Sequence, residues 1–231
     1  MIIQKPQVLL PQSELDPRIM SKLERYARVC YKSEGLMKEA GDPNFLKRIV
    51  INNRHESIIE HEKISLMFVI DRGISHEIVR HRVGAAYSQE STRYCNYSKD
   101  KFSNEIRVIE PFFFTADELA YQLWREACQT AENCYMNLLK AGRSAQEARS
   151  VLPNSLKTEI AVTYNMREWR HFLRLRTDAA AHPQMRQVAI PLLLLFKAEM
   201  PALFSDIEYD NNFPAEHYAQ IIMTDDIFNP L

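Results

Sequence analysis

The sequence predicts a helix-rich α+β fold: a single domain over residues 1–231 with a small, mostly antiparallel sheet and a polar tail from about residue 205. Three observations lead there. Only five glycines occur in 231 residues, helix-capping signals recur along the chain, and three short runs alternate apolar with polar side chains. The length suits one domain, at roughly 100–200 residues each.

Asp16-Pro17 opens a helix on which Ile19, Leu23, Tyr26, Ala27 and Cys30 recur at helical spacing. Asp42-Pro43-Asn44 starts a second, short one. Glu62–Ile70 alternates and is rich in β-branched and large apolar residues, which predicts a strand. Ser75 is placed to cap a helix running through Glu77, Ile78 and Arg80. Phe102–Glu110 alternates again and stops at Pro111, a second strand. Thr115-Ala-Asp-Glu118 reads as a capping box ahead of the longest helix, whose stripe is Leu119, Leu123, Ala127, Ala131, Cys134 and Leu138 up to Gly142. Ser144-Ala-Gln-Glu147 repeats the device. Glu159–Tyr164 predicts a third strand, and Asn165-Met-Arg-Glu168 caps a helix with Trp169, Phe172 and Leu173 inward. His182-Pro183 opens the last long helix, kinked at Pro191. The tail after Phe204 reads as irregular.

Composition excludes several function classes. Lys and Arg number 29 against 30 Asp and Glu, so the net charge is 29 − 30 = −1. Non-specific nucleic-acid or anionic-membrane binding needs a cationic surplus. The longest apolar run, Ile190–Phe196, is too short for a bilayer, and the start of the chain lacks a secretory layout, so a cytoplasmic location is expected. Cys30, Cys95, Cys128 and Cys134 have no metal or redox spacing and read as small buried apolar side chains. No glycine pair fits a dinucleotide or P-loop turn, so any phosphate must be held by side chains and helix ends.

The chemistry concentrates in three windows. Residues 75–94 hold Arg80-His81-Arg82 and then Ser88, Gln89, Glu90, Ser91 and Arg93. On a helix, Glu77 would share a face with Arg80 and His81. Guanidinium groups take phosphate oxygens bidentately, and Gln reads a lactam edge. His55-Glu-Ser57-Ile-Ile-Glu60-His61 only superficially resembles a zinc motif, because its histidines lie six positions apart; no metal is expected. From Arg149 to Gln187, Arg167, His171 and Arg174 fall near one helix face and Arg176 ends it. Cations focused this way in a chain of net charge −1 favour a small phosphate-bearing ligand.

These residues resemble the flavin-dependent thymidylate synthase family, from about Ala27 to Phe204. The most specific element is Arg80-His81-Arg82 followed by Ser91-Thr-Arg93-Tyr94. His55-Glu-Ser, Arg149-Ser-Val-Leu-Pro153, Asn165-Met-Arg167, His171-Phe-Leu-Arg-Leu-Arg176 and Ala181-His-Pro-Gln-Met-Arg186 support it. The resemblance implies a homotetramer with FAD at subunit interfaces. Its members methylate dUMP, with methylenetetrahydrofolate as carbon donor and NADPH as reductant. It assigns Ser57, Arg80, His81, Arg82, Gln89, Asn165, Arg167 and His171 to FAD. It assigns Glu77, Arg80, Gln89, Glu90, Ser91, Arg93, Arg149 and Arg176 to dUMP, with Arg176 as the catalytic group that polarises the pyrimidine.

The chain departs from the family pattern in places. Eight residues separate Arg82 from Ser91, where seven are usual, and the extra one lies in Val83–Tyr87. Either Ser88 or Ser91 fills the motif serine. Gln89 stands where many members carry Glu, His171 where Asn is frequent, and Ala180 where some have a flavin-contacting His, with His182 two residues on. The residues by themselves also fit a nucleotide-binding or nucleotide-hydrolysing module with magnesium on Glu56, Glu60 and Glu77, or a non-catalytic interaction protein.

Overall fold

The computed structural model describes residues 1–39 and 41–228. The chain divides into two compact units. The first holds residues 1–7, 68–80 and 88–160; the second holds residues 8–67, 81–87 and 161 onward.

In the first unit, Ile2–Gln4 (β1) pairs in parallel with Arg107–Ile109 (β5). Of the strand predicted over 102–110, only these last residues form one. Leu119–Lys140 (α4) and Ala145–Ala148 (α5) cover a core of Tyr97, Ile106, Val108, Cys128, Tyr135, Ala148 and Leu156. The capping box at Ser144 is complete: its amide donates to the Glu147 carboxylate at 2.9 Å, and its side chain accepts the Glu147 amide. The one predicted at Thr115 is not, because α4 begins at Leu119 with Glu118 as an uncapped entry residue.

The predicted face of α4 is also wrong at its start, although its last member, Leu138, packs against the core. Leu119 and Leu123 are 69% and 56% exposed, whereas Cys128, Glu132 and Tyr135 are buried. Polar anchoring chooses the face: the Ile106 amide donates to Glu132 Oε1 at 2.9 Å and the Tyr97 amide to the Tyr135 hydroxyl at 3.3 Å. An apolar count does not register these bonds. Of the four cysteines only Cys128 is buried; Cys30 and Cys134 are exposed and Cys95 is partly so, which corrects the expectation for those three.

The second unit contains most of Gln7–Leu10 (β2), then Ile19–Tyr31 (α1) and Pro43–Lys47 (α2). The Asp42 side chain accepts from the Asn44 and Phe45 amides at 3.1 and 3.2 Å, starting α2. On α1, Ile19, Leu23 and Ala27 are buried as expected, but Tyr26 and Cys30 face outward. Met166–Arg176 (α6) and Pro183–Glu199 (α7) pack their aromatic faces together. Trp169 lies 4.6 Å from Tyr164 and 5.7 Å from both Phe172 and Phe196 by ring centroids, and its indole N–H bonds the Ile64 carbonyl. Pro201–Phe204 (α8) follows. The stretch beyond, expected to be irregular, forms the strand Gln220–Met223 (β7) and buries Ile207, Phe213, Ala219 and Ile222. These apolar residues are too sparse to show a period.

Lys63–Asp71 (β3), Ala85–Gln89 (β4) and Lys157–Asn165 (β6) each belong partly to both units. The five-stranded sheet runs β4-β6-β3-β2-β7. The Asn165 amide bonds the Gly84 carbonyl and the Glu90 amide bonds the Glu159 carbonyl, so β4 and β6 are antiparallel. With β1 and β5 parallel, the β-structure is mixed rather than mostly antiparallel. The parallel pair joins strands far apart in the chain, beyond the reach of a local pattern. Among the described residues, no helix is long and apolar enough to cross a membrane.

Candidate active site

The site residues sort between the units. In the first lie Glu77, Arg80, Gln89, Glu90, Ser91, Arg93 and Arg149; in the second lie Ser57, His81, Arg82, Asn165, Arg167, His171 and Arg176.

In the first unit, Arg72–Ile78 (α3) is capped by Asp71, whose carboxylate accepts the Ile74 amide at 2.8 Å. Ser75, the expected cap, is buried inside the helix with its hydroxyl on the Arg72 carbonyl. The helix ends at Ile78, so Arg80 stands exposed in the turn beyond it rather than on the face of Glu77. Gln89 donates its amide N–H bonds to Ser75 Oγ (2.8 Å) and Thr158 Oγ1 (3.1 Å). Glu90 accepts from the Tyr97 hydroxyl at 2.8 Å and from Lys157 Nζ at 3.1 Å. Burial, reinforced by the Glu90 charge, drives the Tyr97 phenol above its ordinary range and keeps it a donor. Ser91 is half-buried, and its hydroxyl accepts the Arg93 amide. Arg149 donates to Thr92 Oγ1 at 3.3 Å, which brings it to the same turn. The exposed guanidinium of Arg93 sits over the Tyr94 ring, 5.5 Å from its centroid. Two arginines and two short hydroxyls thus share one turn, a donor set suited to a phosphate.

In the second unit, Arg82 is exposed, and the extra motif residue makes no long loop: Gly84 turns at φ +64° and β4 begins at once. A Cβ on Gly84 would collide with the Asn165 side-chain amide, and the left-handed backbone there also favours glycine. Asn165 caps α6 by accepting the Glu168 amide at 2.8 Å. The capping box expected there is only half made, because the Glu168 carboxylate turns to His81 Nδ1, 2.8 Å away. On the other side of that ring, Arg176 donates its Nε–H to His81 Nε2 at 3.1 Å. Burial, with the charge of Arg176 and the neighbouring His171, lowers the His81 pKa to about 4. Burial raises that of Glu168 to about 6, with Arg167 opposing. At neutral pH the imidazole is uncharged and the carboxylate ionised. His171 is exposed, its ring 5.4 Å from that of His81. Ser57 is exposed in a 3₁₀ turn at Glu56–His61. His182 caps α7 by accepting the Gln184 amide on Nδ1, and Ala180 lies exposed two residues earlier.

Sequence reasoning named Glu56, Arg167 and Arg174 but missed Arg54, Arg170 and Asp206, which join them in a second group. Arg54, Glu56, Arg167, Arg170, Arg174 and Asp206 line a cavity of about 630 Å³. Four guanidinium groups against two carboxylates leave its charged lining at 4 − 2 = +2. Arg170 is buried and grips Asp206 with two bonds of 2.8 Å, and its Nε donates to Glu56 at 3.1 Å. Burial would lower its pKa, yet the bonds to Asp206 and Glu56 raise it. Arg54 holds a left-handed φ of 57°. That conformation, and the burial of Arg170, have no signature in the sequence; Arg174 was visible on the face of Arg167 and His171. His81, Glu168 and His171 also offer ligand atoms within 4.8 Å of one another. Both His81 nitrogens are already engaged, and the Arg176 cation beside them is an unfavourable neighbour for a metal ion.

The comparisons with known proteins assign the class first. The family model described as thymidylate synthase complementing protein matches residues 16–202. A flavin-dependent thymidylate synthase of Geobacter sulfurreducens is 36% identical over 205 residues, covering 86% of this chain and 85% of the relative. One from Mycobacterium tuberculosis is 34% identical over 204 residues, covering 80% and 78%. Among solved structures, the Helicobacter pylori flavin-dependent thymidylate synthase complexed with FAD and dUMP superposes with a TM-score of 0.67 at 22% identity, covering 87% of this chain and 99% of that one. A UMP/dUMP methylase of Streptomyces cacaoi bound with 5-Br dUMP gives 0.70 at 20% identity, covering 89% and 96%. The two structures establish the shared fold. The chain belongs to the flavin-dependent thymidylate synthase family, and with it to the methyltransferases.

Proposed function

We propose that this protein converts dUMP to dTMP, taking a one-carbon unit from methylenetetrahydrofolate with NADPH as reductant and FAD as cofactor. It would work as a cytoplasmic homotetramer with FAD at subunit interfaces. Family membership supports the reaction, and one observation in the chain carries the mechanism: an arginine, Arg176, seated against an uncharged imidazole at the end of α6.

The residues fit FAD. The cavity lining of Arg54, Arg167, Arg170 and Arg174 carries a charge opposite to that of a diphosphate, and guanidinium groups bind such oxygens in pairs. Ser57, Arg80, His81, Arg82, Gln89, Asn165, Arg167 and His171 complete the assignment the family pattern implies. FAD, when bound, would supply the hydride that completes the methyl group.

The chain's own part is binding and electrostatics. For dUMP, the phosphate falls to Arg93, Arg149 and the Ser91 hydroxyl, the donors sharing one turn. Glu77, Arg80, Gln89 and Glu90 complete the grip. Making C5 of the pyrimidine nucleophilic moves negative charge onto its N3/O2/O4 edge. A permanently protonated guanidinium there lowers the barrier, because it needs no reorganisation as the charge develops. Arg176 is given that role.

The test is spectroscopic and kinetic. Purified protein reconstituted with FAD should be yellow, and anaerobic NADPH should bleach the flavin band near-stoichiometrically. With methylenetetrahydrofolate and dUMP present, dTMP should form, and Arg176→Ala should bind flavin but lose most turnover. Protein that cannot be reconstituted with FAD would remove the proposal; full activity in Arg176→Ala would reassign the polarising role.

A further inference from the structure

Three side chains of the second unit form one directed chain of hydrogen bonds. Arg176 closes α6 and Glu168 lies in its first turn, 176 − 168 = 8 residues earlier. At 1.5 Å of rise per residue they stand about 12 Å apart along the axis, too far to meet directly. His81 spans the gap, with Nδ1 at 2.8 Å from Glu168 and Nε2 at 3.1 Å from Arg176 Nε. The ring is 5% exposed. Phe172 meets it edge-on at 5.0 Å, and Tyr164 lies 6.2 Å away. Tyr87 bonds the His81 carbonyl and also the Tyr164 hydroxyl, which ties the backbone down.

The proton placement follows from the donors alone. An arginine Nε always carries its hydrogen, so the His81 nitrogen facing it must be an acceptor. The single proton of the neutral ring then sits on Nδ1, aimed at Glu168 Oε1. The other tautomer would set N–H against N–H, and an imidazolium would add like charge. A carboxylate opposite Nδ1 selects the one form that can receive Arg176.

We propose that Glu168 is a positioning residue, acting through neutral His81 to lock its tautomer and so hold the Nε edge of Arg176 in register for the substrate. The proposal rests on the reading of Arg176 given above. It also adds to the role of His81: with both ring nitrogens spent within the chain, the ring aims the arginine.

The experiment compares Glu168→Ala, Glu168→Gln, Arg176→Ala and the double variant Glu168→Ala/Arg176→Ala as full chains reconstituted with FAD. Glu168→Ala should lose turnover by about 10- to 100-fold, the scale set by a misplaced group or a lost orienting partner. Its FAD and dUMP dissociation constants should stay within about threefold, a ratio worth under 0.7 kcal/mol. Glu168→Gln should recover most of the rate, since an amide oxygen accepts the same Nδ1–H. The double variant should be no slower than Arg176→Ala, because the two groups act as one. Full turnover in Glu168→Ala, no rescue by Gln, or additive losses would overturn the proposal. If instead Arg176→Ala keeps full turnover, the reading of Arg176 fails, whatever the Glu168 variants do. A second measurement needs no variant at Glu168. In ¹⁵N-histidine NMR at pH 7.5, His81, assigned by the signal lost in His81→Gln, should be the neutral Nδ1–H tautomer. An Nε2–H tautomer or an imidazolium would overturn the inference even if Glu168→Ala does not fold.

Discussion

Replacing Arg170 by Met should destabilise the protein by about 3 kcal/mol at pH 7. The side chain is 1% exposed and answers Asp206 and Glu56, themselves 28% and 19% exposed, as well as the Leu203 carbonyl. Methionine matches much of the volume, so little of the loss is cavity. The cost comes from two carboxylates left without their cation, about 3–5 kcal/mol for a buried pair. The residual solvent contact of Asp206 and Glu56 puts the figure at the lower end. The effect carries a pH signature. Burial pushes the Asp206 pKa up, but the Arg170 bonds win and hold it below its ordinary value. A depressed carboxylate contributes stability above the unfolded pKa of about 3.9 and loses it as pH falls through the folded one. Urea titrations followed by circular dichroism should therefore show the largest gap near pH 7, narrowing below about pH 4. A loss under about 1 kcal/mol at pH 7, or a gap that widens in acid, would refute the reasoning.

Gly84→Ala should cost about 2–3 kcal/mol, combining the left-handed Cβ penalty with disturbance of the Asn165 cap; an unchanged melting temperature would show that the turn relaxes freely. Arg93→Ala should weaken dUMP binding by about 1.5–3 kcal/mol, the value of a charged hydrogen bond; calorimetry with an unaltered dissociation constant would point its guanidinium elsewhere. Glu168 has a folded pKa of about 6 against an ordinary 4.5, so it adds stability below pH 4.5 that disappears as pH rises through 6. Across that window, Glu168→Gln should gain on the unsubstituted protein by about 2 kcal/mol, 1.5 pKa units at 1.36 kcal/mol each, and a difference flat with pH would contradict the raised value.

What could be read locally was read well where one short-range force decides the outcome. Asp42-Pro43, Ser144 to Glu147 and Asn165 each start a helix as their side chains dictate. The strands at 62–70 and 159–164 and the inward Trp169, Phe172 and Leu173 followed from period alone. Local pattern failed where a distant partner decides. Ser75 lost the cap of α3 to Asp71 four residues earlier, and β1, β2, β4 and β7 are short strands recognisable only once paired. The outward Leu119 and Leu123 show the same failure on α4.

The sequence by itself determined the family and the helix-rich α+β class, and it singled out the arginines and histidines proposed to carry the chemistry. Those are properties of residue type and order. Which of them touch, and in what protonation state, was decided only in three dimensions. His81 pairs with Glu168, 87 residues away, and with Arg176, 95 residues away. Burial of that imidazole keeps it neutral beside a cation. A hydrogen-bond direction and a desolvation cost depend on what surrounds a group, and no spacing along the chain encodes them.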